Sequence, residues 1–227
     1  MTVKGGNKCN HWPNFPIGVE VATGGLIGDT VIICGGHDVL YSSVDECYSL
    51  TSEKATLVNH MSVGRQYAAS IVINDNTLWV TGGQYGGYLA STEYVTVTGT
   101  MLGPDLPMAL SYHAMVAINS TCSMVIGGYS HGIFASTFFY DHNEDEWING
   151  PSLMQARYSH AAGIVTDEVT DEHFVAVTGG FYSDFLDSTE ILQDGEWVQG
   201  KISNTICHLL EIFWSHNTIF DYLINIY

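Results

Sequence analysis

Apolar positions along the chain fall into short runs rather than helical stripes, and four of these runs end alike. Val31-Ile32-Ile33-Cys34, Leu78-Trp79-Val80-Thr81, Met124-Val125-Ile126 and Val175-Ala176-Val177-Thr178 are each followed at once by two glycines. The pairs are Gly35-Gly36, Gly82-Gly83, Gly127-Gly128 and Gly179-Gly180, and their second members stand 47, 45 and 52 residues apart. Ten residues beyond each pair come Glu46, Glu93, Phe138 and Glu190, the last three preceded by Ser-Thr. Trp147 and Trp197 follow their pairs by 19 and 17 residues. Upstream, Arg65-Gln-Tyr-Ala-Ala69, Leu110-Ser-Tyr-His-Ala114 and Arg157-Tyr-Ser-His-Ala161 open the preceding runs. Short β-branched and aromatic runs between Gly, Asn, Asp and Ser read as strands. Asn74-Asp75-Asn76 suits a hairpin tip between two of them.

Each unit therefore reads strand, tight turn, strand ending in Gly-Gly, loop, strand, turn, strand. Four short strands per 45–52 residues predict a propeller blade, a radial arrangement that leaves only short, protected sheet edges. Paired glycines suit a sharp turn at a crowded place, where a Cβ would clash. The full pattern (Gly-Gly after an apolar strand, Glu ten residues on, Trp near nineteen, and Arg-x-x-His-Ala opening the next unit) resembles the kelch repeat. The resemblance implies an all-β, kelch-type β-propeller with four recognisable four-stranded blades. Units at 19–61, 62–107, 108–154 and 155–200 carry it. Departures are the missing Trp in the first two units, Phe138 in place of Glu, and Gly18 and Val21 where Arg and His would fall.

Kelch propellers usually close with five to seven blades, so the expectation is an incomplete propeller. Residues 1–18 hold Trp12 and Pro16, which suit the last strand of an earlier blade. Residues 201–227 break the pattern; from Ile202 onward 15 of 26 residues are apolar, with neither helical nor strand period. Open blade edges predict self-association.

Charge narrows the partners. Six Lys+Arg against 24 Asp+Glu give a net charge of −18, and a field of that sign repels nucleic acid and anionic membrane surfaces. Met1–Pro16 has no apolar core of a secretory signal, and no 18-residue charge-free apolar run occurs, so the expectation is a cytoplasmic protein. Five widely spaced cysteines without a Cys-x-x-Cys pair predict a reducing compartment and no disulfide framework.

In the resemblance, two loop sets build one binding face: those after each Gly-Gly and those before each Arg-x-x-His. They place Arg65, Tyr67, Tyr85, Tyr88, Tyr112, Tyr129, His131, Arg157, Tyr158 and Tyr182 as candidate partner-binding residues. Tyrosine and arginine bring large contact area with a polar end, which is why interfaces favour them. Arg65 and Arg157, the only arginines, sit at equivalent positions; they suit either a carboxylate clamp on a partner or bonds to neighbouring loop carbonyls. His113 and His160 also share a repeat position and read as structural histidines, not metal ligands. Asp167-Glu168-Val-Thr-Asp171-Glu172-His173 reads as a solvated hairpin tip without the spacing of a calcium loop. No Gly-Lys-Ser/Thr follows a glycine-rich stretch, and no Glu-x3-Asp-x3-His iron signature is present. The expectation is a protein-binding module with no catalytic residue, cofactor or metal; the alternative is a propeller enzyme or carbohydrate-binding domain.

Overall fold

A computed structural model describes residues 14–167 and 170–200. The calls on residues 1–13 and 201–227, including the apolar tail, lie outside the described residues. Sixteen strands form four sheets, each of four strands, and among the described residues there is no helix. The first sheet holds β1 (Thr23–Ile27), β2 (Thr30–Cys34), β3 (Glu46–Leu50) and β4 (Ala55–His60). The second holds β5 (Ala69–Asn74), β6 (Thr77–Thr81), β7 (Thr92–Thr96) and β8 (Gly99–Leu102). β9 (Ala114–Asn119), β10 (Cys122–Ile126), β11 (Thr137–Asp141) and β12 (Glu146–Asn149) make the third. The fourth comprises β13 (Ala161–Thr166), β14 (His173–Thr178), β15 (Thr189–Gln193) and β16 (Glu196–Gln199). Every sheet is an antiparallel meander in chain order, consistent with a propeller-like repeat fold.

The apolar runs before each Gly-Gly are the second strands, and they lack polar alternation because both their faces are buried. In β6, Trp79 packs towards the third sheet against Leu110, Met115, Val125 and Tyr140. Its neighbours Leu78 and Val80 point the other way, onto Ile32, Cys34 and Cys47 of the first sheet. β10 repeats the arrangement, with Val125 towards the second sheet and Met124 and Ile126 towards Val175 and Val177 of the fourth. Three apolar layers thus alternate with four sheets. Contacts between first strands join β1 to β5, β5 to β9 and β9 to β13; among the described residues no comparable contact returns from β13 to β1.

The glycine pairs sit where successive units meet. All eight have positive φ. Gly127 shows why a side chain is excluded: a Cβ there would stand 2.6 Å from the Arg157 carbonyl and 2.9 Å from the His160 ring of the next unit. Four non-glycine residues at one repeat position also take positive φ: Val21, Tyr67, Tyr112 and Ser159; this corrects the alignment of the first unit by one residue, with Val19 and Ala22, not Gly18 and Val21, at the Arg and His positions. The four backbones are bonded in series, Tyr67 N–H donating to Val21 (3.3 Å), Tyr112 to Tyr67 (3.0 Å) and Ser159 to Tyr112 (2.9 Å). A left-handed residue costs of order 1 kcal/mol or more, and here each one makes an inter-unit hydrogen bond.

One expectation is overturned. Cys34 and Cys47, directly opposite each other on β2 and β3, form a disulfide within the first apolar layer. A spacing of 13 residues carries no motif, so only strand register reveals the pairing.

Candidate partner-binding face

Strand direction sorts the loops onto two ends. The turns after first and third strands, such as Asn74–Thr77 and Thr51–Lys54, lie at one end. The loops after second strands and the connections between units lie at the other, together with the glycine pairs. At this second end each unit builds the same small backbone cluster. The residue after Gly-Gly pairs with the incoming connection on one side and with its own loop on the other: Glu20–His37–Ser43, Gln66–Gln84–Tyr88, Ser111–Tyr129–Ile133 and Tyr158–Phe181–Phe185.

Aromatic rings span these clusters in one continuous ladder. His37 meets Tyr41 (5.0 Å between ring centres) and Tyr67 (6.3 Å), and Tyr67 stacks on Tyr112 at 4.0 Å. Tyr112 meets Tyr158 (5.5 Å), which touches Tyr129 (5.6 Å) and Phe181 (5.6 Å). Tyr88 joins through Tyr129 and His131, at 5.7 and 4.9 Å, and Phe185 through Phe181 at 5.4 Å. All four units contribute. Burial, and next the hydrogen bond with Tyr67, push the Tyr112 phenol well above its ordinary pKa, so it stays neutral.

Exposure divides the candidates. Tyr67, Tyr88, Tyr112, Tyr129 and Tyr158 are half-buried in the ladder, whereas Tyr85, His131 and Tyr182 are exposed. The loops after Gly-Gly add exposed apolar side chains beyond the ten candidates: Val39, Leu40 and Tyr41 in the first unit, and Phe185, at 84% exposure, in the fourth. Their signal was positional, since each falls three to five residues after its glycine pair.

Arg65 and Arg157 do not belong to this face. Both are fully buried. The Arg65 guanidinium donates to the carbonyls of Gly82 (2.8 Å) and Ser91 (2.7 Å) and to Glu93 Oε1 (2.8 Å). Arg157 repeats this with Gly179 (2.8 Å), Ser188 (3.1 Å) and Glu190 Oε1 (2.7 Å). Burial lowers the Arg65 pKa, and Glu93 opposes that shift by hydrogen bond and charge. With their terminal guanidinium N–H groups used inside the unit, the arginines explain Glu93 and Glu190: each is the counter-ion of the residue that opens the same unit, whereas Glu46 belongs to a unit without an arginine. The third unit replaces the pair with Leu110 and Phe138, both buried in one apolar cluster.

His113 and His160 lie beneath the face, each against the first glycine of the preceding unit's pair (Gly82, Gly127) and the second glycine of its own (Gly128, Gly180). Burial lowers their pKa values to about 4 and about 3. Thr81 Oγ1 lies 2.8 Å from His113 Nε2, while His160 meets Ile126 at the position equivalent to Thr81 and its ring nitrogens lack side-chain partners. The acidic hairpin is at the opposite end; Asp167 N–H donates to the Glu172 carbonyl (2.8 Å). One match escaped the sequence reading: Gly128-Tyr129-Ser130-His131-Gly132 spells Gly-x-Ser-x-Gly. A nucleophile elbow joins a strand to a helix, whereas this segment joins β10 to β11.

No protein-family model matches this chain, and no curated protein is significantly similar to it.

Proposed function

We propose that the chain is a kelch-type β-propeller module that binds another protein through its aromatic loop face and performs no chemistry itself. The observation that carries this reading is the ladder of rings across four units, flanked by exposed Val39, Leu40, Tyr41, Tyr85, Tyr182 and Phe185. Apolar side chains in contiguous exposed loops gain free energy when a partner covers them, and rigid aromatic rings lose little rotamer entropy on doing so. The half-buried tyrosines serve as a floor that holds the exposed ones in place. Arg65 and Arg157 supply rigidity beneath it.

The paired change Tyr85→Ala/Phe185→Ala tests the reading. Both side chains are exposed, so the melting transition stays in place while recovery of partner proteins in an affinity capture falls. Rings presented this way also suit stacking on sugars. Glycan binding that disappears in this variant, with protein capture unchanged, would favour the carbohydrate reading instead.

A further inference from the structure

Among the described residues, the face described above carries no lysine or arginine. Of the six Lys and Arg, Lys4, Lys8 and Lys201 lie outside the described residues. Arg65 and Arg157 are buried in ion pairs with Glu93 and Glu190. Lys54 is exposed, but in the turn between β3 and β4, a whole strand away at the other end. Carboxylates flank the aromatic ladder at both ends. Glu20, with a side chain 56% exposed, and Asp38 stand beside Val39, Leu40 and Tyr41. Asp184 and Asp187 are exposed on either side of Phe185. The Asp38 carboxylate is held in place by the N–H groups of Leu40 (2.8 Å) and Ser42 (2.9 Å), and that of Asp184 by Phe185 N–H (2.8 Å).

We infer that this face takes a basic segment of a partner protein, in which lysine or arginine side chains alternate with apolar ones. The inference rests on the protein-binding reading above and adds the partner's chemistry. An apolar centre with acidic ends matches such a segment in both respects. Leucine-like side chains cover the exposed rings while cations reach the flanking carboxylates and the faces of the tyrosines. The net charge of −18 attracts a basic partner from a distance and repels an acidic one. Burial of the two arginines removes the groups that an acidic or C-terminal ligand would need here. The same field opposes a second copy of this acidic chain on its own loop face.

Fluorescence anisotropy on the full chain tests this with three labelled peptides of equal length: alternating Arg-Leu, Ser-Leu and Glu-Leu. The Arg-Leu peptide is expected to bind roughly tenfold or more tightly than Ser-Leu, and to weaken by a similar factor on going from low to high salt. Tyr85→Ala/Phe185→Ala should weaken it roughly tenfold, and Asp184→Asn/Asp187→Asn severalfold. Asp75→Asn/Asp194→Asn, in exposed turns at the opposite end, should leave affinity unchanged. Equal or better binding of Glu-Leu overturns the charge rule; if that binding still falls with Tyr85→Ala/Phe185→Ala, the face survives as a binding site. Arg-Leu binding lost through Asp75→Asn/Asp194→Asn but indifferent to Tyr85→Ala/Phe185→Ala overturns the face as well. Absence of binding by all three peptides overturns the inference.

Discussion

Replacing Arg65 by leucine tests whether the buried ion pairs are a stabilising device or one of two equivalent solutions. In the single variant Arg65→Leu, Glu93 keeps the Ser62 N–H at 2.7 Å and the Val63 N–H at 3.3 Å but loses its cation at 1% exposure. An uncompensated buried charge costs about 3–5 kcal/mol, a large share of the ~5–15 kcal/mol total expected for a domain. The third unit shows how evolution of this chain avoids that cost. Leu110 stands for Arg65, Phe138 for Glu93, and Pro107, which has no N–H to satisfy, stands for Ser62. Arg65→Leu/Glu93→Phe should therefore recover most of the loss, and adding Ser62→Pro should recover more by removing an orphaned donor. The measurement is urea unfolding of five proteins (the wild type, Arg65→Leu, Glu93→Phe, the double variant and the double with Ser62→Pro), followed by tryptophan fluorescence, to which buried Trp79 contributes. A coupling of at least about 2 kcal/mol between positions 65 and 93 is expected. If the double variant loses the sum of the two singles, with no recovery on adding Ser62→Pro, the equivalence of the two solutions is refuted.

Three further outcomes follow from the same packing. His113 and His160, with pKa values of about 4 and about 3 against 6.5 unfolded, stay neutral in the fold while the unfolded chain takes up protons. Stability is therefore full above pH 6.5 and falls towards pH 4 with a slope approaching about 2.7 kcal/mol per pH unit; His113→Ala/His160→Ala, copying Ala68, should flatten urea midpoints measured across that range, and an unchanged slope would refute the assignment. The Cys34–Cys47 link should contribute about 3 kcal/mol: both cysteines should resist alkylation in denaturant until a reductant is added, and modification without reductant would disprove the pairing. Leu26 is 58% exposed on the face of β1 turned away from the second sheet; Leu26→Lys should reduce concentration-dependent self-association in light scattering, and a wild-type chain that stays monomeric would refute association through that surface.

The strands were legible because Gly-Gly punctuates each unit and positive φ restricts those positions to glycine almost regardless of context. Sheet order followed, since short connections leave a meander as the simplest pairing. Side-chain direction was harder to read. The repeat places Arg65 and Tyr67 two residues apart in one loop, yet the tyrosine ring joins an open ladder and the arginine side chain turns under the face to Glu93. A partial clue lay in the chain itself: the two units with Arg at the opening position have Glu ten residues past Gly-Gly and the unit with Leu has Phe, although the first unit keeps Glu46 without an arginine. In the structure the two sites are ion-paired in both arginine units, so neither is free to meet a partner. No such clue marks the histidines, which stay the same while their partner changes from Thr81 at His113 to Ile126 at His160; only the structure locates both between units. The face that remains after these internal pairs are removed is aromatic and acidic, and it is from this remainder, not from the most chemically suggestive residues, that the identity of a partner is to be sought.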